Sequence, residues 1–304
     1  MGDVLTEKGE GVLGSAGRKP EWLKKRLPNA RAVGDMERLL RPKDLHTVCE
    51  SALCPNKGEC FERGTATFLI MGDQCTRDCR FCGVNHSGPS ALDPEEPAKV
   101  ADAAAEMDLR YVVITSVTRD DLLDGGAAHF AATIRAVRRT LPDAVVEVLV
   151  PDFRGKRAAI DVVLEAEPDV FNHNVETVPR LYRTVRPQAD YQRSLSVLGW
   201  AASQGGVVSK TGLMVGLGEE IEEVRAVMQD VYERGVRMVT VGQYLRPTCD
   251  HLSVQKYVTP ETFESLAAHG SSLGLQVEAG PFVRSSYMAD KGYARLGSNG
   301  VATV

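Results

Sequence analysis

From Thr67 onward, short apolar runs rich in β-branched residues alternate with longer segments whose apolar residues recur at helical spacing, which limits the fold sharply. The pattern predicts strands over Thr67-Met71, Tyr111-Ser116, Val145-Val150, Val170-Asn174, Val207-Met214, Met238-Tyr244 and Gln276-Ala279. It predicts helices over Pro94-Glu106, Ala127-Leu141, Lys156-Ala166, Tyr191-Gln204, Ile221-Arg234 and Pro260-Leu273. A strand reaches a parallel neighbour only through a long crossover, right-handed in nearly all cases. Six or seven such units in one series suit a barrel better than a sheet with a central switch point. The expected class is therefore α/β: a partial or closed parallel (β/α)6-type TIM-like barrel with N- and C-terminal extensions. Its active-site face would be built from the loops that follow the strands. Residues 1 to about 30 lack periodicity and read as a polar extension.

Six of the seven cysteines fall between Cys49 and Cys82, as two triplets: Cys49, Cys54, Cys60 and Cys75, Cys79, Cys82. Soft sulfur ligands gathered this way select zinc, copper(I) or iron-sulfur clusters over hard cations. Each triplet is one ligand short of a closed site, so each either borrows a distant ligand or leaves a metal position open for chemistry. Disulfides are disfavoured in a 304-residue chain with ample core-forming sequence and no apolar N-terminal stretch like a signal peptide. Zinc is the stronger rival, with His46 or His86 as completing ligands, although C-x3-C-x2-C is an unusual zinc spacing. The second triplet lies in the loop after the first predicted strand, on the expected active-site face.

A composition of 43% hydrophobic and 25% charged residues is that of an ordinary globular protein, as one large domain or two small ones. The net charge of -5 argues against nucleic-acid or membrane binding; Arg18-Lys19 with Lys24-Lys25-Arg26 is only a short basic patch. No run reaches transmembrane length, and clustered free thiols suit a reducing cytoplasm.

The string Cys75-Thr-Arg-Asp-Cys79-Arg-Phe-Cys82 resembles the signature of radical S-adenosylmethionine (SAM) enzymes. Thr47-Val-Cys49-Glu-Ser-Ala-Leu-Cys54-Pro-Asn-Lys-Gly-Glu-Cys60 with Gly64-Thr-Ala-Thr-Phe68 is similar to the auxiliary-cluster segment of the lipoyl synthase family. Further similarity runs through Thr115-Ser-Val-Thr-Arg-Asp-Asp121, Asp124-Gly-Gly126, Asn172-His-Asn-Val-Glu-Thr177, Gly212-Leu-Met-Val-Gly-Leu-Gly-Glu219, Gly242-Gln-Tyr-Leu-Arg-Pro-Thr248 and Arg284-Ser-Ser-Tyr287. It covers roughly residues 19 to 292 in order.

The resemblance implies two 4Fe-4S clusters and SAM. Cys75, Cys79 and Cys82 would hold the cluster whose open iron SAM chelates, and that cluster would reduce SAM to methionine and a 5'-deoxyadenosyl radical. Cys49, Cys54 and Cys60 would hold the sulfur-donor cluster, with Ser286, or less favourably Ser285, as its fourth ligand. The implied reaction inserts sulfur at C6 and C8 of an octanoyl chain carried on a lysine. Implied partners are octanoylated lipoyl carrier domains of 2-oxoacid dehydrogenase complexes and the glycine cleavage H protein, a flavodoxin- or ferredoxin-type reductant, and iron-sulfur carrier proteins. Implied domain limits are 1-62 for the extension with the auxiliary cysteines, 63-280 for the barrel, and 281-304 for a closing segment that supplies the serine. A different radical SAM enzyme with an auxiliary cluster is the competing reading.

For SAM, the resemblance points to Asp124, Gly125 and Gly126, where glycine admits a close backbone approach and a carboxylate can meet an ammonium. Glu176 is placed to accept from ribose hydroxyls, and Lys210 or Arg246 to pair with a carboxylate. Gly216-Leu-Gly218-Glu219 lacks the Lys-Ser/Thr of a phosphate loop. Cys249, the remaining cysteine, is the missing ligand that residue types alone would nominate; the resemblance puts no ligand there. His46, His86, His129 and His173 show no catalytic spacing and read as structural.

Overall fold

A computed structural model describes residues 18–25 and 29–298, so most of the polar leader, and Arg26 of the basic patch, lie outside the described residues. The strands are β1 (His46–Thr47), β2 (Thr67–Ile70), β3 (Tyr111–Ser116), β4 (Val145–Leu149), β5 (Val170–Asn172), β6 (Val208–Val215), β7 (Met238–Gln243) and β8 (Gln276–Gly280). They form one eight-stranded sheet in sequential order, parallel from β2 to β8, with β1 antiparallel to β2. The helices are α1 (Ala30–Leu40), α2 (Val48–Ser51), α3 (Lys57–Glu62), α4 (Glu96–Glu106), α5 (Ala127–Thr140), α6 (Arg157–Leu164), α7 (Tyr182–Val185), α8 (Tyr191–Ser203), α9 (Ile221–Glu233), α10 (Pro260–Leu273) and α11 (Ala289–Ser298). From β2 to β8 each parallel step is bridged by a helix. Among the described residues β8 pairs only with β7, so the barrel is partial. No described helix is long and apolar enough to cross a membrane.

The predicted strands all form, with ends shifted by a residue or two. The difference at β5 matters: the ladder stops at Asn172, and His173 and Asn174 leave it. Glu176 then makes its own bridge to Leu213, donating from its N–H to Gly212 O (3.0 Å) and accepting from Met214 N (2.8 Å). β1 went unpredicted because two residues show no alternation, and Thr47 also caps α2 by accepting from Glu50 N (3.3 Å). Helix α1 buries Met36 and Leu40 in the same apolar core as Phe61, Phe68 and Ile70, so the segment carrying the first triplet is packed into the barrel wall.

Segment 281–288 follows β8 and passes over β6 and β7. It needs room that only glycine leaves: a Cβ on Gly242 would sit 2.1 Å from Val283 O, and one on Gly212 would sit 3.0 Å from Ser285 Oγ. Asn56 Nδ2 donates to Phe282 O (2.7 Å), and Tyr287 OH donates to Glu59 Oε1 (2.7 Å). The strap thereby joins β6 and β7 to the cysteine-bearing α3.

Inside the barrel, Glu147 of β4 is fully buried and accepts both Lys210 Nζ contacts (2.8 and 2.9 Å), Tyr111 OH (2.6 Å) and Asn172 Nδ2 (3.0 Å). This corrects the expectation for Lys210: its ammonium is 1% exposed and neutralised by Glu147, leaving no charge for a ligand carboxylate. Removing one member of a buried pair strands the other charge, at about 3–5 kcal/mol. Lys210→Met is expected to lower unfolding stability by about that amount. The double variant Lys210→Met/Glu147→Gln, which buries no charge, should recover most of the loss in urea denaturation.

Candidate active site

The second triplet occupies the loop after β2, held from three directions. Cys75 N donates to Asn85 O (2.9 Å), Thr76 N to Thr118 O (3.0 Å) after β3, and Arg80 N to Val185 O (2.9 Å) after β5. From the loop after β7, His251 Nε2 meets Cys82 O (2.8 Å). Arg77 anchors the turn from within. It is 4% exposed and donates to both oxygens of Asp120 (2.7 and 3.0 Å) and to Asp152 (2.6 Å), which also accepts from Arg193 (2.7 Å). Burial alone would raise the Asp152 pKa, but Arg77 holds it well below the usual carboxylate range. Sequence reasoning missed this network, because nothing in the spacing of Arg77, Asp152 and Arg193 brings them together.

All seven cysteines are free thiols. The Cys75 sulfur accepts from Thr118 N (3.3 Å) and Arg77 N (3.5 Å). Burial pushes the Cys79 thiol up to about 11 and Cys82 to about 12; Arg186 opposes the shift at Cys79, and Glu176 adds to it at both. In the first triplet, burial pushes Cys49 up to about 12 and Cys60 to about 11, and Cys54 adds to both. Buried thiols that each sense their triplet partners form a donor set which a metal centre's positive charge would deprotonate, with proton release on loading. Among the described residues, no three His, Cys, Asp or Glu side chains are gathered around a single ion position.

Two charged residues stand where the strap crosses β6 and β7. Glu176, at a positive φ of 66°, accepts from Asn174 Nδ2 (3.1 Å) and senses Arg186 and Arg284. Burial raises its pKa, and Arg186 and Asn174 offset part of the rise. Arg284 senses Cys54 on one side and Glu176 on the other, and burial lowers its pKa. A chain of charge interactions thus runs from Cys54 through Arg284 and Glu176 to Cys79 and Cys82. Arg284 was not singled out from sequence; its place beside the paired serines was the available signal. The serines diverge: Ser285 Oγ accepts from Asn174 Nδ2 (2.7 Å), whereas Ser286 lines a cavity of about 240 Å³ with Cys49 and Cys60.

Other expected residues serve the scaffold. Asp124 caps α5, accepting from Gly126 N (2.9 Å) and Ala128 N (2.8 Å), while Gly125 and Gly126 pack on Phe153 and Met71. Asp124 thus fixes the start of α5 beside the loop after β3. Arg246 is exposed and donates to His251 O (2.8 Å) and Cys249 O, which shapes the loop that reaches Cys82. Cys249 is exposed, its thiol toward Asp250. His129 meets the buried Glu96 (2.6 Å), whose Oε2 also accepts from Met71 N (2.8 Å).

A partial parallel barrel with a three-cysteine loop after its first parallel strand defines the radical SAM class, and residues 69–231 match the Radical SAM superfamily. Methylornithine synthase, a solved structure, shares the fold at a TM-score of 0.53 and 15% identity, over 69% of this chain and 63% of that one. Lipoyl synthase of Syntrophotalea carbinolica is 56% identical over 275 residues, 90% of this chain and 89% of the relative. That of Chlorobium chlorochromatii is 52% identical over 276 residues, 90% of this chain and 94% of the relative. The chain belongs to the lipoyl synthase family.

His173 gives a pH test of the scaffold behind the site. It is buried, with Nδ1 2.9 Å from Val150 O and Nε2 3.0 Å from Ser194 Oγ. Burial, reinforced by Arg186, lowers its pKa from 6.5 to about 4. The neutral folded form therefore contributes stability that is complete above 6.5 and is lost as the pH falls toward 4, spanning about 3 kcal/mol. Urea midpoints measured from pH 8 to pH 5 should fall more steeply for the wild type than for His173→Gln.

Proposed function

We propose that Cys75, Cys79 and Cys82 hold the 4Fe-4S cluster that binds SAM, and that Cys49, Cys54, Cys60 and Ser286 hold a second, sulfur-donating cluster. The reaction is that of a lipoyl synthase: sulfur insertion at C6 and C8 of a protein-bound octanoyl-lysine. The observation that carries this division of labour is that Asn174 Nδ2 donates both to Glu176 Oε1 (3.1 Å) and to Ser285 Oγ (2.7 Å), one residue from the Ser286 that lines a cavity with Cys49 and Cys60.

When bound, the first cluster and SAM supply one-electron cleavage and hydrogen abstraction, and the second supplies sulfur. The chain's own residues position and insulate. Arg77, clamped by Asp120 and Asp152, fixes the cysteine turn so that the loop does not relax when charge changes on it. Glu176 faces the SAM side as an acceptor for ribose hydroxyls, and Arg284 balances negative charge between the thiolate sets. Gly125 and Gly126 set the floor of the SAM space through Met71 and Phe153. Ser286 would contribute oxygen where the other ligands would contribute sulfur, and oxygen is the poorer match for a soft centre, so its position would be the weakest held of the set.

The substrates are proteins of the lipoyl carrier type. We assign as specific partners the octanoylated domains of 2-oxoacid dehydrogenase complexes and the glycine cleavage H protein, a flavodoxin- or ferredoxin-type reductant, and iron-sulfur carrier proteins that reload the second centre, all in the cytoplasm.

Anaerobically purified protein should carry about eight irons, and Cys54→Ala about four. With SAM, reductant and an octanoyl-lysine peptide, Cys54→Ala should still form 5'-deoxyadenosine and leave the peptide free of sulfur. Sulfur in the peptide from that variant would refute the division of labour. Ser286→Cys should load iron fully but insert sulfur more slowly, read by mass spectrometry of the peptide. Cys249→Ser should leave the iron content unchanged.

A further inference from the structure

A second hollow, of about 490 Å³, opens beside the loop that carries the second triplet, and none of the seven cysteines lines it. Thr76 and Arg77, which follow Cys75 directly in the chain, are among its lining residues, and Arg77 N donates to the Cys75 sulfur (3.5 Å). Inward, ion pairs plug the hollow: Arg77 binds Asp120 and Asp152, and Asp152 also accepts from Arg193. The carboxylates that line it are thus engaged, Asp120 by Arg77 and Asp121 by Arg119 (2.8 Å). Beside the hollow, the turn Arg154-Gly155-Lys156-Arg157 after β4 exposes three cations. Positive φ at Phe153 (45°), Arg154 (52°) and Gly155 (75°) bends this turn sharply, and Asp152 pins it by accepting from Arg154 N (3.0 Å). Lys156 Nζ donates to Leu123 O (2.6 Å), and Arg157 lies 4.4 Å from the centre of the Trp200 ring. Among the described residues no carboxylate pairs with either cation. Leu123, on the loop after β3, is 92% exposed, so a lone apolar side chain stands beside these charges.

We propose that the hollow and its basic turn are the docking surface of an acidic one-electron carrier protein, which delivers its electron at the Cys75 side of the second triplet. The proposal rests on the reading of that triplet as the SAM-binding cluster, and it assigns a place to the reductant which that reading requires. At this surface the carrier is oxidised by one electron and the centre on Cys75, Cys79 and Cys82 is reduced by one; no bond is made or broken there. The plug decides between a carrier of electrons and a carrier of acyl groups. An octanoyl chain cannot thread the locked Arg77, Asp120 and Asp152 side chains, whereas an electron needs only the short bonded route from Thr76 and Arg77 to the Cys75 sulfur. Uncompensated cations on a stiff turn steer an acidic partner and set its orientation, and Leu123 offers the apolar contact around which such a rim works. Because Asp152 holds both the turn and Arg77, the docking surface is fixed rigidly to the cysteine loop.

The test compares wild type with Lys156→Glu/Arg157→Glu, which reverses the charge of the turn and spares Arg154 beside Asp120. Both positions open α6, where acidic side chains favour the helix, so the variant keeps its fold. Full-length, iron-loaded protein is titrated anaerobically with an acidic, FMN-loaded flavodoxin in a calorimeter, at low and at high salt. Wild-type affinity should fall with salt, and at low salt the variant should bind about tenfold more weakly, with a flatter salt dependence. Leu123→Ser should weaken binding about threefold and leave the salt dependence as it is. Formation of 5'-deoxyadenosine driven by limiting reduced flavodoxin should drop in step with affinity, whereas dithionite, too small to need a dock, should drive wild type and variant equally. Equal flavodoxin affinity in wild type and both variants would overturn the docking surface. So would a charge-reversed variant that keeps flavodoxin binding and loses binding of an octanoylated carrier domain. A wild type that forms no 5'-deoxyadenosine even with dithionite would overturn instead the cluster reading on which the proposal rests.

Discussion

A parallel barrel that does not close leaves an edge, and the way this chain covers that edge determines the rest of its architecture. The final strand β8 is only half-buried along its whole length, unlike the fully buried β2 and β7. Unpaired backbone along such an edge needs cover. The strap holding Arg284 and Ser286 follows β8 directly, runs past β6 and β7, and is tied to the segment holding Cys49, Cys54 and Cys60 through Asn56 to Phe282 and Tyr287 to Glu59. Gly242 and Gly212 are the points where the strap's backbone and side chains need space that a Cβ would fill.

Burial sets the electrostatic character of what is assembled. Cys49, Cys60, Cys79 and Cys82 are all pushed well above the usual thiol range, because a lone thiolate would be poorly solvated there. Such sites are poor thiolate nucleophiles when empty and strong proton releasers on loading. Fixed ion pairs supply the rigidity that the cysteine loop lacks in regular structure. Arg77 with Asp120 and Asp152 ties the loop to the ends of β3 and β4, and Lys210 with Glu147 fills the barrel interior below it. Charge in this protein thus both holds the scaffold and surrounds the chemistry.

The periodic parts of the fold were legible because each strand and helix reports its own burial through local spacing. Every predicted strand from Thr67 onward is present, and the cysteine triplets announced themselves by density. The isolated polar residues were less legible. Lys210 and Arg246 looked alike as cations near a ligand, yet one is locked to Glu147 inside the barrel and the other is folded onto its own loop. Asp124 read as a cofactor contact, and the structure shows it also accepting from Gly126 N and Ala128 N at the start of α5. Arg77 and Arg284 carried no spacing signal, since their partners lie far away along the chain.

The sequence by itself determined the repeating βα architecture, the two thiol triplets and their kinship with the lipoyl synthases, because these are properties of order and local spacing. Tertiary structure alone decided that the barrel stays open, that Ser286 and not Ser285 shares a cavity with Cys49 and Cys60, and that Asn174 holds Ser285 of the strap beside Glu176. Those outcomes depend on contacts between segments more than a hundred residues apart. Such contacts are fixed by packing and by the pairing of buried charge, which leave no periodic mark on the chain.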